Sequence, residues 1–444
     1  MQYLRKTDPV TLSIIRAEEK RQREELMLIP SENYASRAVL EASGSVLTNK
    51  YAEGYPRRRY YQGNTNIDDV ELLAQERAKK LFGVPHANVQ PYSGSPANSA
   101  VQFATLEPGD TVMGLALASG GHLTHGHPKI TFSGKFFKSV QYNVGKNGWL
   151  DYDEIAKMAK REKPKLIIAG TTAYPRILDW KKFSQIAESV GAYLMADIAH
   201  IAGLVVAGAH PSPVRWVHVV TTTTHKTLRG PRGAMILVTA RGLKKDPDFG
   251  SKIDRAVFPA LQGGPHNHTT AGIAVALREA QGKLFKTYGK QIVKNAKALA
   301  ESLMKKGFEL VSGGTDNHLM LVDLRNKGVS GWVVAWALDK AGIILNYNSV
   351  PFDTNPPMFP SGMRLGTPGV TSRGMKEREM VRIGTWINEV VEHVKDEKLP
   401  GDKEQRTVWT KAFLGRVAKD RFLAKIRGEV RSLARRFPLP GIDR

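Results

Sequence analysis

The chain contains no cysteine. That absence excludes disulfide scaffolds, thiolate zinc sites, iron–sulfur clusters and thiol nucleophiles. Long hydrophobic runs are missing as well: the longest nearly unbroken apolar stretch, 201–209, falls far short of the roughly 18 to 20 residues a membrane-spanning helix needs. The first twenty residues carry Arg5, Lys6, Asp8, Arg16, Glu18 and Glu19 and lack the apolar core of a secretory signal. A cytoplasmic protein with no membrane partner is the expectation. Acidic residues are scarce, 42 Asp plus Glu against 65 Lys plus Arg, which leaves a net charge of +23. Such a balance favours anionic partners. No block of five or six like charges marks a nucleic-acid arm, however, and Arg57-Arg58-Arg59 is the only basic triple. Twelve basic and five acidic residues follow residue 400, so the C-terminal tail holds a large share of the excess.

What is present is enough for two or three domains: 444 residues, 41% of them hydrophobic. From residue 68 helix-like and strand-like segments alternate, the signature of an α/β domain with a parallel or mixed sheet covered by helices. Helices are expected at 69–81, 96–106 and 180–190, the last closed by Gly191 as a C-terminal cap. Strands are expected at 88–92, 111–117, 165–170, 193–198 and 218–224, each ending at polar residues. In open sheets the carboxyl ends of strands are where ligands bind. Phe285, Tyr288, Ile292, Ala296, Leu299 and Leu303 recur at helical spacing, predicting one long helix that Gly307 terminates. Beyond it, strands at 319–324, 343–346 and 363–365, a helix at 331–339 and a final helix through Met380 to Val394 predict a smaller α+β domain. The division expected is an N-terminal segment 1–67, a large domain 68–282 and a C-terminal part 283–444. In the tail, Phe413, Leu414, Phe422, Leu423, Ile426, Val430 and Leu433 read as one packed amphipathic helix.

Five features carry chemistry. Lys226 follows four threonines at a strand end and precedes the turn Gly230-Pro231-Arg232-Gly233. A lysine held there reaches into a cleft, where desolvation and a nearby cation such as Arg232 lower its pKa and free the amine for Schiff-base chemistry; taken alone, a lysine after a strand is more often solvated surface. Asp197 closes an apolar strand, where an unpaired carboxylate costs several kcal/mol, roughly. It needs a partner, either a protonated pyridine nitrogen, an arginine, or a hydrogen bond to His200. Tyr92-Ser93-Gly94-Ser95-Pro96 runs from a strand into a helix start that offers amides to a phosphate, or is an ordinary capped helix. His122 sits after Gly120-Gly121 and can stack on an aromatic ring, and Arg364 can bind a carboxylate bidentately. Together these are the parts of a pyridoxal-phosphate (PLP) enzyme acting on an amino acid. No metal site is expected.

At these residues the chain resembles the serine hydroxymethyltransferase family, PLP enzymes of fold type I, the aspartate-aminotransferase fold. The resemblance runs from Leu28 to Arg373 and rests on LIPSENYAS at 28–36, NKYAEGYPRRRYYQGN at 49–64, SGGHLTHG at 119–126, TTTTHKTLRGPRG at 221–233, QGGP at 262–265, TDNHL at 315–319 and SGMRLGTPGVTSRG at 361–374. It implies a mostly parallel, mixed seven-stranded sheet in the large domain. It implies PLP as cofactor, tetrahydrofolate as co-substrate, and L-serine and glycine as the amino acids exchanged in one-carbon metabolism. Lys226 is implied as the Schiff-base lysine, Asp197 as partner of the pyridine nitrogen, His122 as the stacking ring and His200 as the group on the phenolic oxygen. Ser93, Gly94 and Ser95 would hold the phosphate, joined by Tyr51 and by Gly263 and Gly264 of a partner subunit. Thr172 and His225 would line the cofactor pocket. Ser31 and Arg364 would place the amino acid, Glu53 with Tyr60 and Tyr61 would sit over the reacting carbon, and Leu117, Gly121, Leu123 and Asn348 would cradle the folate. A shared site implies a homodimer, or a tetramer built from dimers.

The chain departs from the family's usual pattern at Tyr92, where histidine is common, at Pro96, at Ala260-Leu261, at His266-Asn267 and at Tyr347. The basic tail is a further departure. Two rival readings share the scaffold: a folate-independent aldolase for β-hydroxy amino acids such as threonine, and an α-methylserine hydroxymethyltransferase. A nucleic-acid role for the basic surface is the minor alternative; the same charge can steer polyglutamylated folate.

Overall fold

A computed structural model describes residues 1–443. His86–Asn88 (β1), Thr111–Leu115 (β2), Lys138–Tyr142 (β3), Leu166–Gly170 (β4), Tyr193–Asp197 (β5), Val219–Thr223 (β6) and Ala234–Val238 (β7) form one sheet in the order β1-β7-β6-β5-β4-β2-β3. β7 runs antiparallel to both of its neighbours, and the remaining pairings are parallel. β4, β6 and β7 are buried along their whole length, as strands covered by helices on both faces must be. The α/β fold with a mostly parallel seven-stranded sheet is therefore as expected.

Parallel register brings the chemistry to one edge. Gly170 lies opposite Asp197, and Asp197 opposite Thr221. The chain leaving β4 carries Thr172, β5 ends on Asp197, and β6 runs into Thr224, His225 and Lys226, so these groups emerge side by side. Gly170 permits the approach: a Cβ there would come within 2.7 Å of Asp197 Cβ.

A second core lies around a smaller antiparallel sheet of Glu309–Leu310 (β8), Leu319–Asp323 (β9), Asn346–Asn348 (β10) and Gly362–Gly366 (β11), in the order β8-β9-β11-β10. The helix Lys283–Met304 joins the two cores as a strut. Its Phe285, Tyr288 and Ile292 pack into the first and its Ala296, Leu299 and Leu303 into the second. Leu26–Met27 pairs with Ile343–Ile344, so Leu26 and Leu28, from the opposite end of the chain, also belong to the second core.

Three expectations need correction. The first strand is His86–Asn88 rather than 88–92, because Pro91 has no amide for a ladder and the backbone at 90–92 bonds elsewhere. The helix Glu377–Val394 is not the last. The tail forms two helices, Lys403–Val417 and Arg421–Ala434, because Asp420 caps the second through the amide of Leu423 and breaks the single amphipathic pattern. Phe413, Leu423, Ile426 and Val430 are buried in the second core, and each contributes about 1.5–3 kcal/mol of burial. No helix among the described residues is long and apolar enough to cross a membrane.

Candidate active site

Lys226 is held by its backbone before its amine does anything. Its carbonyl accepts from Asn33 Nδ2 at 2.9 Å, and Asn33 in turn receives Ser372 Oγ at 2.6 Å. The turn after it is closed by Thr224 Oγ1 donating to the Pro231 carbonyl at 2.7 Å. The side chain enters a cavity of about 530 Å³ that lies between the sheet edge and the second core. Desolvation pushes the Lys226 amine down to about 8; Asp197 opposes the shift, and Arg364 and Arg232 reinforce it. The expected contribution of Arg232 is present but small beside burial.

Asp197 faces the same cavity with three hydrogen bonds. It accepts from His125 Nε2 at 2.9 Å, from Asn98 Nδ2 at 2.8 Å and from the amide of Ala199 at 3.0 Å. Desolvation works to raise its pKa and is outweighed, first by the hydrogen bond from His125 and then by that from Asn98, so the carboxyl stays well below the usual carboxylate range. His125 Nδ1 accepts from the amide of His122 at 3.2 Å. The proton of His125 is thereby assigned to Nε2, facing the carboxylate. Neither an arginine nor His200 is the partner that the sequence left open. His200 Nδ1 instead meets His318 Nε2 at 3.2 Å, because β9 of the small sheet brings His318 behind it.

Three histidines, His122, His200 and His225, line the cavity in neutral form, and a fourth, His318, lies behind His200. Burial first, and then neighbouring cations or imidazoles, push His122 down to about 4, His225 to about 3, His318 to about 3 and His200 well below its ordinary value. Neutral rings keep four positive charges away from the lysine. His122 Nδ1 accepts from the Thr124 amide at 3.2 Å, which fixes the ring against the turn.

Arg364, on β11, reaches over from the second core. Its Nη1 donates to the Thr172 carbonyl at 2.7 Å and its Nε to Asn346 Oδ1 at 3.1 Å, and the residue lines the cavity. Desolvation lowers this guanidinium to about 10. It remains charged at neutral pH.

Of the residues singled out in the sequence, the cavity collects Ser31, Ser93, Gly94, Ser95, Leu117, Gly121, His122, Leu123, Thr172, Asp197, His200, His225, Lys226, Arg232 and Arg364. It does not collect Tyr51, Glu53, Tyr60, Tyr61, Gly263, Gly264 or Asn348. The first six form a second cluster on the surface of the same chain. Tyr51 Oη donates to Glu53 Oε1 at 3.3 Å, Tyr51 and Tyr61 meet edge to face at 5.3 Å, and Gly264 backs onto the Tyr51 ring. Tyr51, Tyr60 and Tyr61 are 58%, 70% and 47% exposed. The loop that carries them is nevertheless rigid: the buried guanidinium of Arg59 bonds Asp68 at 2.9 Å, Glu71 at 2.7 Å and the carbonyls of Ala52 and Gly54. Asn348 sits on an edge strand and donates to the carbonyl of Ser349.

Sequence reasoning missed Asn33, Asn98, His125, His318 and Asn346. Three of them lie inside the recognised stretches 28–36, 119–126 and 315–319, so a signal was present, but their partners are far away in the chain.

The cavity suits PLP on its own features. Ser93 gives the helix Gly94–Thr105 no side-chain cap, so first-turn amides are left for an anion. A Cβ on Gly94 would meet Thr223 Cγ2 at 2.8 Å, so only glycine leaves that cradle undistorted. His225 Nδ1 is buried without a hydrogen-bond partner.

Comparison with known proteins agrees. The sequence profile described as "Serine hydroxymethyltransferase" matches residues 4–387. Proteins named serine hydroxymethyltransferase from Acidothermus cellulolyticus, Sorangium cellulosum and Desulfotalea psychrophila are 58%, 54% and 53% identical to it over 439, 443 and 443 residues. The matches cover 99%, 100% and 100% of this chain and 97% of each relative. A lysine beside an ionised aspartate at one sheet edge, with whole-length identity of this order, leads to one conclusion: the chain belongs to the serine hydroxymethyltransferase family.

Proposed function

We propose that this chain catalyses the reversible transfer of the hydroxymethyl carbon of L-serine to tetrahydrofolate, leaving glycine, with PLP held at Lys226. The observation that carries the reading is the pairing of a desolvated Lys226 amine, pushed down to about 8, with an Asp197 kept ionised on the adjoining strand. Bound there, PLP supplies an electron sink for the bonds at the substrate Cα. Everything else is done by the chain. Asp197, oriented by His125 and Asn98, offers its carboxylate to the ring-nitrogen proton. His122 would stack on the ring, and His200, backed by His318, would bond the phenolic oxygen. Ser93, Gly94 and Ser95 take the phosphate. Lys226 accepts and returns protons within the site, a task suited to an amine poised near the working pH.

Arg364 takes the substrate carboxylate, and Ser31 lies beside it in the cavity. Glu53, Tyr60 and Tyr61 serve a neighbouring copy, since they are rigidly presented and outside their own chain's cavity, the two tyrosines exposed and Glu53 half-buried. A homodimer follows, each cavity completed by the other chain's Tyr51, Glu53 and Gly263-Gly264. In that assembly Glu53 manages the proton on the serine hydroxyl as the one-carbon unit leaves. A cytoplasmic location fits this role.

The test is an absorbance titration of the purified protein with glycine and then tetrahydrofolate. A visible band from lysine-bound cofactor, and a new longer-wavelength band only when both ligands are present, is expected. A cofactor band with no response to folate would favour the folate-independent aldolase instead. Asn346 provides a narrower check. Asn346→Ala removes the acceptor that orients the Arg364 guanidinium, and KM for serine is expected to rise roughly tenfold with kcat nearly unchanged. An equal loss in kcat with KM unmoved would place Asn346 in the chemical step.

A further inference from the structure

The segment from Gln262 to Asn267 touches two sets of residues at once. On one side it is stitched to the backbone that leads into Ser93, Gly94 and Ser95. The Gln262 side-chain amide donates to the Gln90 carbonyl at 3.0 Å and accepts from the Tyr92 amide at 3.1 Å. The Tyr92 hydroxyl donates to the Gly264 carbonyl at 2.7 Å, and its ring lies flat on the His266 imidazole, 4.2 Å between centroids and 7° between planes. On the other side Asn267 Nδ2 donates to the Lys50 carbonyl at 2.5 Å, and Gly264 lies against the Tyr51 ring. Two glycines in succession form a mobile stretch of backbone. Here it is clamped from both directions, by a hydroxyl on the carbonyl of the second glycine and by a ring stacked two residues further on.

We propose that Tyr92 and His266 are positioning residues for the cofactor phosphate of the neighbouring subunit. They pre-order the Gly263-Gly264 backbone, so cofactor affinity in one cavity depends on an aromatic pair in the other chain. Pre-ordering raises affinity by removing the entropy cost of fixing the amides on binding. The inference rests on the reading above, in which each cavity is completed by a second copy. Tyr92 also precedes Ser93 of its own chain, so a competing role within its own phosphate loop predicts the opposite pattern in mixed dimers.

The experiment measures PLP affinity of dimers reconstituted from apo chains, with bound cofactor trapped on Lys226 by borohydride reduction and counted by mass spectrometry. Tyr92→Phe keeps the ring and loses the hydroxyl; His266→Leu loses the stack. Combined in a homodimer, they are expected to weaken PLP binding roughly tenfold. Lys226→Ala then marks which cavity is read. A Tyr92→Phe/His266→Leu chain paired with a Lys226→Ala chain has its lysine-bearing cavity facing an intact glycine pair, and ordinary affinity is expected. All three substitutions in one chain, paired with an unaltered chain, leave the intact lysine facing the loosened pair, and the tenfold loss is expected there. The reverse order would overturn the proposal and assign the pair to its own phosphate loop. Equal affinity throughout would overturn it in favour of simple surface packing. A Glu53→Gln chain paired with a Lys226→Ala chain is the control, expected to recover serine cleavage in one cavity per dimer. No recovery would sink the two-chain reading itself, and this proposal with it, even if the aromatic pair altered affinity.

Discussion

Lys226→Ala is expected to lower kcat for serine cleavage by at least about 10⁴-fold while the protein stays folded. The side chain contributes no hydrogen bond to the fold; its backbone carbonyl, held by Asn33, is what the surrounding structure uses, and alanine keeps that carbonyl. The loss is therefore one of covalent attachment and proton transfer. A pH profile tests the physical cause. Capture of PLP by the apoenzyme needs the neutral amine, and burial holds this amine at about 8. The capture rate should rise as pH passes about 8 and level off above it, whereas a solvated lysine would go on gaining to a pKa of about 10.4. Stopped-flow absorbance across the pH series measures it. A midpoint near that of free lysine would refute the desolvated amine.

Arg373→Met is expected to cost about 3–5 kcal/mol of stability, the largest structural effect anticipated from one substitution. Arg373 is 2% exposed, and no carboxylate pairs with it among the described residues. Its guanidinium is solvated by backbone carbonyls instead. Nη1 donates to Gln22 and Glu25 at 3.0 and 3.1 Å, and Nη2 to Arg23, Ala434 and Phe437 at 3.1, 2.5 and 3.1 Å. These carbonyls lie at the C-terminal ends of the helices Pro9–Glu24 and Arg421–Ala434, where unpaired oxygens and the negative ends of two helix dipoles converge. Methionine fills the volume and leaves the carbonyls of Gln22, Arg23, Glu25 and Phe437 without a donor, while that of Ala434 keeps only the amide of Phe437. Arg373→Lys should recover part of the loss, since it keeps the charge and supplies fewer donors in a different geometry. Urea unfolding, with limited proteolysis of the terminal helices, measures both. An unchanged midpoint for Arg373→Met would show that water reaches those carbonyls.

The same contacts bear on the basic tail. Arg416, Arg427 and Arg435 pair with Glu397, Glu25 and Glu24, so part of the tail's charge ties it down. Its apolar stripe is buried, and the tail is part of the second core rather than a free arm. That architecture favours a structural reading of the tail over a nucleic-acid one.

Local chemistry was readable because it rests on patterns within a few residues of each other. The apolar strand ending at Asp197 and the threonine run ending at Lys226 each announce a strand end facing a ligand, and the glycine within Ser93 to Ser95 announces a helix start. The helical repeat from Phe285 to Leu303 gave the strut between the two cores nearly to its ends. The split tail was hidden because two helices with basic faces share one overall apolar spacing, and only the cap at Asp420 separates them.

By itself, then, the sequence determined the fold class and picked out Lys226, Asp197 and Arg364, which line one cavity, because strand ends and amphipathic periodicity are properties of neighbouring residues. Only the tertiary structure decided that His125 holds Asp197, that His318 backs His200, that Asn346 aims Arg364 and that Glu53 turns away from its own cavity. Those pairings are made through space by strand order, register and the packing of one core on another, and no spacing along the chain encodes them directly.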